Sequence, residues 1–137
     1  MPNAQHIKTE ELLSLLYKED SLNHFLQQNE SAFQTPSFAQ YMTDWCIKNN
    51  KVPEQIILKA GLDKSFGHQL FNGKRNPSRD TVLQFAFAIK AEVSQAQEML
   101  GIAGKSLLYP RIRRDTVIIY CLHNHISLID TNLILYD

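Results

Sequence analysis

The chain of 137 residues is short of the residues that build covalently stapled or cofactor-bearing proteins. It has two cysteines, Cys46 and Cys121, too few for a disulfide framework. Both fall inside apolar helical patterns and read as free core thiols of a reducing cytoplasm, with a disulfide between them the open alternative. No apolar run reaches the length of a membrane span, and no charged-then-apolar leader opens the chain, so no membrane association is expected. Net charge is absent too: 14 basic side chains balance 14 acidic ones. There is no glycine-rich phosphate loop, no Gly-x-Ser-x-Gly, no His-Glu-x-x-His and no conspicuous carboxylate pair, so neither an enzyme nor a cofactor is expected. Apolar content is ordinary at 44%, which argues against disorder and against a fibrous repeat. The length suits a single core.

The balanced charge is unevenly placed. Residues 1–47 carry Lys8 and Lys18 against six carboxylates, a net of −4. Residues 48–80 carry seven basic side chains against Glu54, Asp63 and Asp80, a net of +4. Residues 81–137 have five of each sign. Positive charge therefore collects on one segment, as a nucleic-acid-facing surface requires. The competing explanation is an acidic arm packed against a basic face of the same molecule.

That basic segment is also the most patterned. In PEQIILKAGLDKSFGHQLFNGKRNPSRD, residues 53–80, Ile56, Ile57 and Ala60 give a first short helix one apolar face. Gly61 stands where that helix must stop, because glycine enters the left-handed C′ conformation without steric cost. Asp63 offers an N-cap for a second helix that turns Phe66, Leu70 and Phe71 inward. Two short helices about a glycine turn make a helix-turn-helix. A basic loop follows, with Lys74, Arg75 and Arg79, and Ser78 placed to cap the next helix.

The run AGLDKSFGHQLFNGKRNPSRDTVLQFAFAI resembles the phage-repressor-like helix-turn-helix family, the XRE or Cro/repressor class. Ala60-Gly61-Leu62, Asn72-Gly73-Lys74-Arg75, Pro77-Ser78, Thr81-Val82-Leu83 and Ala86 stand in the family's places, and the resemblance spans Phe38 to Leu100. It implies an all-α fold and a second motif helix whose polar side chains enter the major groove. By position the base readers are Lys64, Ser65, His68 and Gln69. Lysine pairs with guanine acceptors and glutamine with adenine. Lys74, Arg75, Asn76 and Arg79 are then the phosphate-holding residues, which position the protein without specifying sequence.

Several positions depart from the family pattern. Ile57 stands where a small alanine is usual, and Gly67 where a branched apolar residue faces it, which suggests a compensating exchange of volume between the two. Pro53 replaces a frequent glutamine and lacks a backbone N–H. Phe71 replaces a common glutamate, and Asp63 sets an acid beside the expected phosphate path. These departures keep a second reading open: a degenerate helix-turn-helix adaptor that binds another protein rather than DNA.

The flanking segments also read as helices. Thr9 is the expected cap of TEELLSLLYKE, with Glu10 and Glu11 suited to the positive end of the dipole, and Ser21 caps SLNHFLQQNE. Residues 1–7 have no periodicity. Thr35-Pro36-Ser37 opens a helix whose Phe38, Tyr41, Met42, Trp45 and Cys46 recur at core spacing. Tyr41 and Trp45 read as core rather than as a platform for stacking bases. TVLQFAFAIKA is apolar nearly all round and should be the central helix, and Ser94 is the expected cap of SQAQEMLGIAG. The tail from Tyr109 reads as two helices about Asn124-His125, with Ser127 as the cap of the second.

Cys121, His123 and His125 fall short of a metal site, for want of a second ligand pair at a matching spacing. Arg111, Arg113 and Arg114 form a basic cluster that either adds phosphate contacts or pairs with carboxylates such as Asp115 or Asp130. The expectation is an all-α compact helical bundle of about eight helices, in three parts. Residues 1–34 form an N-terminal helical arm, 35–105 the repressor-like helix-turn-helix domain, and 106–137 a C-terminal α-hairpin packed on the bundle. The expected function is sequence-specific binding of double-stranded DNA as a cytoplasmic homodimeric transcriptional regulator.

Overall fold

The computed structural model describes residues 8–30 and 36–136, and the chain divides into two compact units, 1–35 and 36–137. Among the described residues there are nine helices and no strand. The readings of residues 1–7 and of Thr35 lie outside the described residues.

The first unit holds α1 (Thr9–Lys18) and α2 (Leu22–Gln28). Lys8, not Thr9, occupies the N-cap of α1, so Thr9 lies inside the first turn. Glu10 and Glu11 oppose the helix dipole there as expected. Ser21 caps α2 by accepting the His24 N–H at 3.3 Å. Helix α1 buries no residue and α2 buries only Phe25.

The second unit runs α3 (Phe38–Lys48), α4 (Pro53–Lys59), α5 (Lys64–Phe71), α6 (Arg79–Ala88), α7 (Val93–Ile102), α8 (Arg113–His123) and α9 (Leu128–Leu135). Its helix starts follow from local chemistry. Ser37, Asp63, Ser78 and Ser127 each accept a backbone N–H from three residues on, at 3.0–3.1 Å. At α7 the cap position belongs to Glu92, and Ser94 lies within the helix. The turn between α4 and α5 depends on Gly61, whose φ of +71° is the left-handed value.

Helix α6 is central, burying Thr81, Val82, Leu83, Phe85, Ala86 and Ala88. Phe85 is fully enclosed, and Phe38 of α3 and Phe71 of α5 meet it edge-on at centroid distances of 5.5 and 5.7 Å. Such T-shaped pairs contribute about 1 kcal/mol each beyond the area they bury. Helices α8 and α9 form the expected hairpin, and Ile118 and Leu122 carry it into the same core. Tyr41 and Trp45 pack partly buried against that core, and Cys46 and Cys121 are buried free thiols. Burial pushes the Cys46 thiol up, which keeps it protonated and unreactive.

Candidate nucleic-acid interface

The second motif helix has two clean faces. At 100° per residue, Lys64, Ser65, His68 and Gln69 fall within about 140° of arc on α5. Phe66, Gly67, Leu70 and Phe71 take the opposite side, where Gly67 and Leu70 are buried. The four expected base readers therefore share one face. Lys64 and Ser65 are exposed, and His68 and Gln69 are half-buried.

Two of the four have partners. The Nε2 of His68 lies 3.4 Å from Oε1 of Glu54, on the first turn of α4. Oε1 of Gln69 accepts the Nε–H of Arg75 at 2.6 Å, a charge-assisted bond across the turn that ends α5. That bond leaves the amide NH2 of Gln69 and the terminal nitrogens of Arg75 free of one another. The pair thus offers donors from two residues at one place, which suits base acceptors and phosphate oxygens.

The loop after α5 is shaped by its own backbone. Oδ1 of Asn72 accepts the Lys74 N–H at 3.0 Å, Gly73 takes φ +80°, and the Arg75 N–H returns to the Gln69 carbonyl at 3.2 Å. Lys74, Arg75 and Asn76 are exposed, and Pro77 is buried. Among the described residues no ion pair neutralises Lys64, Lys74 or Arg75.

Arg79 is placed differently from the other expected phosphate residues. Its Nη1 and Nη2 donate to both carboxylate oxygens of Asp115, at 3.0 and 2.8 Å. Its Nε and Nη2 donate to the carbonyls of Ser106 and Leu107, at 2.9 and 3.0 Å. Four of the five guanidinium N–H groups are thereby occupied. Asp115 is 1% exposed and also accepts the Tyr109 N–H at 3.0 Å. The Arg79 hydrogen bonds hold the Asp115 carboxyl below its ordinary range against the opposing effect of burial, and the Tyr109 N–H adds to them. Arg79 thus fastens the loop 106–109 and the start of α8 to the start of α6.

Beside this pair, Nη1 of Arg114 lies 3.3 Å from Oδ1 of Asp80. The two Arg-Asp dipeptides, 79–80 and 114–115, therefore pair reciprocally across the starts of α6 and α8. Arg114, read from sequence as a phosphate contact or a partner of local acids, takes the second role, though with Asp80. The repeated Arg-Asp dipeptide is the one trace of this cross-bracing in the sequence, and it does not say which arginine pairs with which acid. No group of three or more His, Cys, Asp or Glu side chains is arranged to hold a metal among the described residues.

Fold and site together define an all-α unit carrying two short helices about a glycine turn, with a basic, polar outward face on the second. Comparison of the chain with protein-family models, curated proteins and solved structures finds no match.

Proposed function

We propose that the 36–137 unit binds duplex DNA as a sequence-specific transcriptional regulator of the repressor-like class, with α5 in the major groove. The observation that carries this reading is the open face of α5. Lys64, Ser65, His68 and Gln69 lie on one side of the helix, next to a loop whose Lys74 and Arg75 have no carboxylate partner among the described residues. Uncompensated cations beside hydrogen-bonding side chains are what phosphate grip and base readout need.

Dimerisation belongs to the same proposal. Along α9 the buried residue is Thr131, while Ile129, Leu133 and, at the C-cap, Tyr136 are 74%, 62% and 78% exposed. With Asn132 these residues sit at i, i+3, i+4 and i+7, one uncharged stripe. The occupant we assign is a second copy of this chain, since a two-fold copy sets no like charges against one another along this stripe. Palindromic half-sites follow from that symmetry. The buried free thiols Cys46 and Cys121 support a cytoplasmic setting. Among the described residues no helix is long and apolar enough to cross a membrane.

The test is fluorescence anisotropy with random-sequence duplex DNA at low and physiological salt. Binding that weakens steeply with salt, and loses slope in Lys74→Ala/Arg75→Ala, supports the reading. No binding even at low salt rejects it in favour of the adaptor. The adaptor reading draws on the same α9 stripe, with a different protein seated there.

A further inference from the structure

Away from the α5 face, a cleft of about 430 Å³ lies where the ends of α4 and α6 meet the α8–α9 turn. Its size is that of a small-molecule site. The floor is apolar, made by Phe87, Ala88, Leu122 and Ile126. Two cations stand on the rim, Lys59 closing α4 and Lys90 following α6, and His125 lies in the hairpin turn.

The rim is not charge-balanced. His125 has Glu92 within 4.0 Å of its Nε2, whereas neither Lys59 nor Lys90 has an ion-pair partner among the described residues. Lys90 and His125 both hold φ at +54° just beyond a helix end, where glycine would sit without steric cost. There the Ala91 N–H closes onto the Ala86 carbonyl and the Ile126 N–H onto the Cys121 carbonyl, at 2.9 Å each, so both conformations serve to end α6 and α8 beside the cleft.

We infer that the cleft binds a small amphipathic anion, an apolar chain or ring bearing one carboxylate, with the chain on the Phe87–Leu122–Ile126 floor and the carboxylate between Lys59 and Lys90. Such a ligand touches the last turn of the first motif helix and the hairpin turn together, so it braces the C-terminal hairpin against the helix-turn-helix. Binding itself does not depend on the DNA reading.

The experiment is isothermal titration of the full chain with octanoate, beside octanol and octyltrimethylammonium as probes of equal tail and different head. Octanoate should bind saturably at one site and more tightly than either control by about tenfold, the scale of a hydrogen bond to a charged group. Lys59→Gln/Lys90→Gln should lose about the same factor while unfolding at the wild-type temperature, both side chains being exposed. Lys90→Gly, which relieves the left-handed backbone, should fold at least as stably as wild type and still bind octanoate more weakly. The inference is overturned if octanoate shows no saturable binding, if octanol binds as well, or if both variants bind as wild type does.

Discussion

Ile57 on α4 fills the place that a side chain at residue 67 on α5 would occupy. A Cβ built on Gly67 would lie 2.5, 2.6 and 2.8 Å from Cγ2, Cγ1 and Cδ1 of Ile57, and Ile57 is itself 2% exposed. The glycine weakens α5 by about 1 kcal/mol of helix propensity, so the chain keeps it for the close approach of the two motif helices. The exchange of volume suggested by the sequence is thus realised in the packing.

Gly67→Ala should therefore destabilise the protein, against the helix scale, by about 1–2 kcal/mol, because overpacking outweighs the gain in propensity. Ile57→Ala should cost about 2–4 kcal/mol through the cavity it leaves. Ile57→Ala/Gly67→Val moves the branched side chain from α4 to α5 and should be more stable than the sum of its single variants by about 2 kcal/mol. Urea unfolding of the four proteins checks this, and additive losses would show that the two positions do not exchange volume.

Asp115 and Arg79 give a pH-dependent prediction. The folded Asp115 carboxyl lies below its ordinary value of 3.8, chiefly through the Arg79 hydrogen bonds. Its contribution is therefore full at neutral pH and is lost as pH falls below 3.8 toward the folded value. Asp115→Asn should cost about 2–3 kcal/mol at pH 7, toward the low end for a buried pair because Arg79 is partly solvated. The gap between wild type and variant should close progressively in acid. A gap that stays constant from pH 7 into acid would show that the carboxylate charge is not what the bridge depends on.

The arginines and lysines of the basic loop should separate by assay. Lys74→Ala should reduce the salt slope of DNA binding by about 1 and leave the unfolding midpoint unchanged, because its ammonium is exposed and unpaired. Arg79→Ala should lower the unfolding midpoint, because it removes the partner of a buried carboxylate and two loop carbonyls. Its salt slope should change little. Equal slope losses in the two variants would show that Arg79 holds phosphate as well as the Asp115 bridge.

Much of this arrangement was legible in the sequence because it is local. Ser37, Asp63, Ser78 and Ser127 cap helices three residues long in reach, and Gly61 ends one by its own backbone freedom. The inward face of α5 follows from the spacing of Phe66, Leu70 and Phe71, while the residues opposite it are picked out by the family resemblance. Thr9 and Ser94 misled by one or two residues, since a hydroxyl residue is tolerated inside a first turn as well as before it. The role of Arg79 was hidden for a different reason. Its partner is 36 residues away, and nothing in a helical period reports a contact between two helix starts brought together by the core.

The α9 stripe supplies the last prediction. Helix α9 packs Leu135 against the core but leaves Ile129, Leu133 and the C-cap Tyr136 exposed, and burying those three side chains in a partner recovers about 1–3 kcal/mol each. Leu133→Glu puts a charge at the centre of the stripe without touching the core, since Leu133 is 62% exposed. In a two-fold interface the substitution acts twice, setting like charges against each other. Sedimentation equilibrium should show wild type as a dimer and Leu133→Glu as a folded monomer. On a palindromic duplex the variant should bind its half-sites independently, losing the linkage that one protein dimer gives to two sites. Wild type sedimenting as a monomer at all concentrations would remove the second copy as the occupant of α9, and with it the expectation of a palindromic operator.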